Sequence, residues 1–316
     1  MKLHERGETI VLTSFIFYHS LNFSIMKNIE RCVNFMIIDQ LELILDNDLM
    51  ELEGIDKARE NIWLHYKDAN DNPIPRVTHI IKQCTDQDYL IKWAARIGYS
   101  KYEMYREKAL EVGTLAHYYI DLYLEAKYIK KDMSLFKIDY DGMGMVYRSS
   151  VHNAIESFIA WEKNLNKMGY FIEEVIGLEV PVRCPWFGGT VDAILRINRA
   201  VYLIDFKTSK QISVDYLVQA SAYMWMINNG YASELPKIDG IGIIRVDKQT
   251  IRFNDLFLNN YNTDGNWYIG RLMQTFLSYV ESYYRTINVE HMFTAYNKSY
   301  YFPVAINVDR KFEEAS

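Results

Sequence analysis

GGTVDAILRINRAVYLIDFKTSK, residues 188–210, decides how this chain is read. Two carboxylates, Asp192 and Asp205, and the ammonium of Lys207 interrupt runs that otherwise carry the apolar residues of buried strands. If Asn198-Arg199 is a two-residue hairpin turn, Ile197 faces Ala200. Stepping back along both strands then sets Asp192 opposite Asp205. Cross-strand neighbours of that kind have Cβ atoms about 4.5–5.5 Å apart, where like charges repel unless a proton or cation lies between them. Lys207 is two residues beyond Asp205 and shares its face, because side chains alternate along a strand. The turn lacks the stronger Asn-Gly signal, and a longer loop would shift the register. Two readings satisfy the pattern. One is an Asp–Lys pair on a solvated sheet face. The other is a site for a hard divalent cation, which takes oxygen ligands at about 2.0–2.1 Å in the case of Mg²⁺ and keeps several waters. The apolar run Ala200 to Ile204 is that of a central strand, where an ionised group needs a partner.

The rest of the sequence supplies the frame. Residues 171–183, 187–197 and 200–208 read as consecutive strands, followed by a helix over about 213–229, a strand over 238–247 and a closing helix over 267–285. Upstream, residues 87–126 and 147–168 read as helices, the second ended by Gly169. Residues 62–81 read as two strands around an Asn/Asp/Pro turn. This order predicts an α/β chain: a mixed central sheet flanked by helices, with a mostly helical N-terminal addition. The expected division is a partly helical extension over 1–60 and a main domain over 61–316 with a helical insertion at about 87–168.

Composition narrows the function classes. With 316 residues, 49% hydrophobic and 24% charged, the chain can bury a large core and is not of the disordered type. A net charge of -6 argues against a broad basic cradle for nucleic acid and leaves room for a narrow one. The three cysteines, Cys32, Cys84 and Cys184, are far apart and lack C-x-x-C spacing, so no disulfide framework, zinc site or iron–sulfur cluster is expected. The apolar run at 10–17 is too short for a membrane span and has no clean cleavage site after it, so no membrane association is expected. Met26 is an alternative start. The 25 tyrosines are explained by AT-rich coding as readily as by base stacking.

The motifs, taken in order, resemble the RecB-like branch of the PD-(D/E)XK nuclease superfamily: Gly113-to-His117 as G-x-x-x-H, Glu179 in a strand, G-G-T-V-D at 188–192, D-F-K-T at 205–208 and Gln219-to-Tyr223 as Q-x-x-x-Y. Residues 75–81 also look like a segment of phage and mitochondrial genome-maintenance exonucleases, with Arg76 in place of a small residue. The resemblance spans roughly residues 113 to 223 and implies a restriction-endonuclease-like fold.

By position it implies that Asp192, Asp205, His117 and the Phe206 backbone carbonyl bind Mg²⁺ or Mn²⁺, and that Glu179 holds a metal-bound water or second ion. Lys207 would orient the attacking water and stabilise charge on the phosphate. Gln219 and Tyr223, four apart on one helical face, would hold the lysine or a DNA phosphate, and Thr208 and Lys210 would lie beside the DNA. No cysteine follows Cys184, so the iron–sulfur members of the branch are excluded, and no Walker A motif supplies a helicase.

The expectation is therefore a stand-alone, metal-dependent DNA nuclease of phage or mobile-element type, an exonuclease acting on single strands or DNA ends. A structure-specific or mobile-element endonuclease is the alternative within the class. A catalytically silent nucleic-acid-binding or assembly protein is the alternative outside it. An intracellular, cytoplasmic setting is expected, the host cytoplasm if phage-encoded, with mitochondria left open and any protein partner unidentified.

Overall fold

The chain is described by a computed structural model covering residues 66–67, 73–86, 88–141, 143–259 and 263–299. The extension expected over 1–60 lies outside these residues. A short antiparallel pair, β1 (Tyr66–Lys67) and β2 (Pro73–Ile74), leads into α1 (Val77–Cys84). The strand expected to run to Ile81 is therefore a helix beyond Arg76. Val77, Ile80 and Ile81 recur at helical spacing and are all buried, so one face of α1 joins the core.

Helices α2 (Asp88–Ile97) and α3 (Tyr99–Leu124) follow, and α3 runs on into a π-helical turn at Glu125–Ile129. α4 (Met145–Lys167) ends where Gly169 takes φ 82°. β3 (Ile172–Arg183), β4 (Gly188–Ile197) and β5 (Ala200–Lys207) form an antiparallel meander. α5 (Val214–Asn228), capped by the Ser213 hydroxyl on the Asp215 N–H, crosses to β6 (Gly240–Val246), which pairs parallel with β5. β7 (Phe253–Asn259) pairs antiparallel with β6, and α6 (Thr263–Ser299) follows. The sequence reading missed β7, whose seven residues include three polar ones and whose first six include none fully buried, the weak signature of an edge strand.

The sheet order is β3-β4-β5-β6-β7, a mixed five-stranded sheet with helices on both faces. On one face Val201, Leu203 and Ile243 pack with α1, α5 and α6, including Phe276 and Val280. On the other, Leu195, Ile204 and Phe206 pack with α3 and α4 through Ile120, Phe158 and Trp161. Strand alternation in β5 thus divides Val201 and Leu203 from Ile204 and Phe206, which fixes where Asp205 and Lys207 stand.

The β4–β5 turn has the predicted two residues. Asn198 and Arg199 take φ 45° and 72°, the left-handed pair of a type I′ turn, and Ile197 pairs with Ala200. The ladder runs back to Ala193 opposite Ile204 and stops there, one step before Asp192 and Asp205.

Candidate metal centre

Three elements bring the charged side chains together: α3, the β3–β4 pair and the carboxyl end of β5. In β3, Leu178 pairs with Ala193 and Val180 with Val191, so Glu179 falls across from Asp192. Both strands turn over at this point. Leu178 and Ala193 pack against the α3/α4 face, whereas Val180 and Val191 pack against the α1/α5/α6 face, although each pair is only two residues apart. Glu179 itself has φ 46°, a left-handed conformation costly for a side chain with a Cβ and characteristic of functional positions. The irregularity is what turns its carboxylate toward Asp192 instead of leaving it in the alternation with Val180 and Val182.

His117 reaches this spot from α3. Its Nδ1 lies 3.5 Å from Asp192 Oδ2, and its ring packs edge-on to Phe206 at 6.0 Å. Donor atoms of His117, Glu179 and Asp192 all lie within 4.8 Å of one another, the spacing of side chains able to share one ion. Asp192 Oδ2 also accepts the Phe206 N–H at 2.7 Å, and this contact takes the place of the next ladder pair.

Asp205 stands beside this group. It is 2% exposed, its Oδ2 lies 2.6 Å from Lys207 Nζ, and its Oδ1 accepts Gln219 Nε2 at 3.1 Å. Lys207 also lies 5.0 Å over the Tyr216 ring. Among the expected ligands, the fold therefore groups His117, Glu179 and Asp192, and gives Asp205 to Lys207 and Gln219.

Gln219 and Tyr223 share one face of α5, 3.4 Å apart, and both are buried beneath the carboxylates. Tyr223 leaves no room for a side chain at residue 189: a Cβ on Gly189 would meet its ring at 2.3 to 2.5 Å. That contact explains the second glycine of G-G-T-V-D through the tyrosine of Q-x-x-x-Y. Gly113 faces the end of β5 more loosely: a Cβ there would sit 3.4 Å from the Thr208 hydroxyl, about an ordinary contact distance. Lys210 is exposed in the loop that follows.

The electrostatics follow from crowding. Burial, followed by Lys207, lowers the His117 pKa to about 4, so its imidazole is neutral at neutral pH and its contact with Asp192 is not an ion pair. Burial raises Asp192 against the pull of Lys207 and the Phe206 N–H. Asp205 is raised to about 6 by burial and by Asp192, with Lys207 opposing. Burial and Asp192 raise Glu179. Burial opposes the charge on Lys207, but Asp205 and Asp192 outweigh it and raise its pKa.

One further carboxyl on the same helix was not singled out in the sequence. Asp121, one helical turn after His117, is raised to about 8 by burial, Glu179 and Asp192. The four-residue spacing on α3 was the available signal. The imidazole of His117 with the carboxylates of Glu179 and Asp192 could hold a divalent metal ion, and this mixed nitrogen and oxygen set does not single out one metal.

No family model and no curated protein matches this chain. Among solved structures, one described as "Crystal structure of SSO0001" aligns over 78% of this chain and 86% of that chain, at 13% identity and a TM-score of 0.26. A likeness of that degree supports neither a fold assignment nor a function. Among the described residues, no helix is long and apolar enough to cross a membrane.

Proposed function

We propose that this chain is a metal-dependent DNA nuclease of the PD-(D/E)XK type, built on a restriction-endonuclease-like variant of its mixed sheet and acting on single strands or free ends. The carrying observation is the three-donor group of His117, Glu179 and Asp192, set beside the buried Asp205–Lys207 pair. Mg²⁺ or Mn²⁺ bound there would polarise a phosphate oxygen and lower the pKa of a water molecule.

The protein's own residues have separable tasks. His117, Glu179 and Asp192 hold the ion. Asp205 keeps Lys207 charged and aimed, and Gln219 fixes Asp205 from below. Lys207, 18% exposed at its side chain, is the cation that meets the phosphate and offsets its growing charge. The Phe206 N–H orients Asp192, while Thr208 and Lys210 line the approach for the DNA strand.

End-labelled single- and double-stranded oligonucleotides and a closed single-stranded circle, each with Mg²⁺ or Mn²⁺, test this reading. Wild type is expected to degrade the linear substrates and spare the circle, with Asp192→Asn and Lys207→Met inactive. Cleavage of the circle would replace the exonuclease with an endonuclease. A folded wild type that binds DNA without cutting any substrate would refute catalysis.

A further inference from the structure

The Lys207 ammonium has two neighbours of different kinds. Asp205 Oδ2 lies 2.6 Å from Nζ, and the Tyr216 ring centroid lies 5.0 Å from it, within the range of a cation–π contact. Tyr216 is placed by the start of α5. The Ser213 hydroxyl caps that turn through the Asp215 N–H, and the Ser213 carbonyl accepts the Tyr216 N–H at 3.2 Å. Its ring is partly buried against the core formed with α1, α5 and α6. Gln219 follows three residues later and Tyr223 four after that, so one face of α5 gives a ring to Lys207, an amide to Asp205 and a phenol to that amide.

A lysine on a single ion pair is poorly fixed, because its four-carbon stem lets the ammonium swing around the carboxylate. A second contact is needed to set its direction. A second carboxylate would hold it and also neutralise it. An aromatic ring attracts the ammonium through its quadrupole and carries no net charge, so the positive charge remains available to a phosphate. An ammonium has three N–H donors; with one on Asp205 and the ring beneath, the 18% of the side chain that is exposed is left for the substrate.

We propose that Tyr216 is the positioning residue of Lys207, its ring holding the ammonium in the direction from which it meets the scissile phosphate. This role rests on the nuclease reading given above. The ring carries it, and the hydroxyl does not.

The test joins a spectrum to a rate in the full chain, for wild type, Tyr216→Phe, Tyr216→Leu and Tyr216→Met. Lysine is labelled with ¹³C at the ε carbon, and the Lys207 signal is identified by its loss in Lys207→Met. In wild type and Tyr216→Phe the Lys207 ε protons should be shifted upfield by the ring, and in the two ringless variants they should return toward the other lysines. Cleavage of an end-labelled single strand with Mn²⁺, corrected for the folded fraction, supplies kcat and KM. Tyr216→Phe should keep the wild-type rate. Tyr216→Leu and Tyr216→Met should lower kcat by about 10-fold, the scale of one desolvated cation–π contact, with KM unchanged.

Folded ringless variants with the wild-type kcat, or a Tyr216→Phe as slow as they are, overturn the role of Tyr216 and leave the nuclease reading standing. A loss confined to KM overturns it too, since the ring would then serve DNA binding instead of Lys207. So does a wild type without the upfield shift, and so do ringless variants that fail to fold, which would make Tyr216 a structural residue. A folded wild type that cuts no substrate overturns the nuclease reading and this role with it, whatever the spectrum shows.

Discussion

Lys207→Met removes the cation that faces the buried carboxylates and keeps most of the side chain's length. In the folded chain its Nζ is 2.6 Å from Asp205 Oδ2, and Asp205 is 2% exposed. Without Lys207, Asp205 keeps only the Gln219 amide as a donor, while Asp192 still repels it. Breaking a buried pair by deleting one partner typically costs about 3–5 kcal/mol, and that is the loss expected at pH 8.

The sign of the pH dependence follows from the aspartate. Even with Lys207 present, the Asp205 pKa is raised from an ordinary 3.8 to about 6. The native state therefore binds more protons than the unfolded one between those values, and Asp205 lowers stability as pH rises through that window, by about 3 kcal/mol in total. Removing Lys207 pushes the native pKa higher still. At pH 5 the lone aspartate takes up a proton, and the deficit of Lys207→Met should shrink to a minor part of its value at pH 8.

Urea unfolding in chelator at pH 5 and pH 8 measures this for wild type, Lys207→Met, Asp205→Asn and the double variant. The double variant should regain stability to within about 1 kcal/mol of wild type, because it leaves no unpaired charge. A Lys207→Met deficit equal at the two pH values, or below about 0.5 kcal/mol at pH 8, a magnitude ordinary for surface changes, would refute the buried-pair account.

Other expectations concern the frame. Gly189→Ala should cost about 1–3 kcal/mol by overpacking against Tyr223, and Tyr223→Leu in the same chain should return part of it, as chemical denaturation of the two single variants and the double variant will show. Arg199→Gly should stabilise the type I′ turn by about 1 kcal/mol, seen as a higher urea midpoint with unchanged slope. Glu162→Gln should cost about 3 kcal/mol. The buried Glu162 carboxylate accepts from Tyr123 and Lys127, each at 2.6 Å, and from Tyr128, and the variant leaves Lys127 without its counter-ion; thermal unfolding reads the loss.

The hairpin was legible because its information is local. Two strands of fixed period and a two-residue turn leave one register, and the residues at 193–204 obey it. What happened one step later was not local. Where the ladder ends, the Asp192 carboxylate accepts the Phe206 N–H and stands 3.5 Å from His117, 75 positions earlier in the chain, and the turn-over at Glu179 needs a left-handed backbone that Glu does not advertise. The contact of Gln219 with Asp205 was not legible for a related reason. Its helical face was correct, but whether that face meets solvent or the underside of the sheet depends on where α5 crosses between β5 and β6. Residues 77–81 show the limit of short apolar runs, which fit a strand and a single buried helix face equally well until packing decides.

The separation of His117 from the strands has a kinetic consequence. The β4–β5 hairpin closes over two residues, whereas the three-donor group requires α3 to dock on a sheet whose parallel β5–β6 pair is itself completed across α5. Contacts joining such distant segments carry the largest loop-closure cost and are expected to form late in folding. A bound cation should then leave the folding rate nearly unchanged and slow unfolding instead, converting binding energy into native-state lifetime. Stopped-flow folding and unfolding limbs recorded with Mn²⁺ and with chelator would separate the two rates. Acceleration of the folding limb by the ion would place α3 on the sheet before the barrier rather than after it.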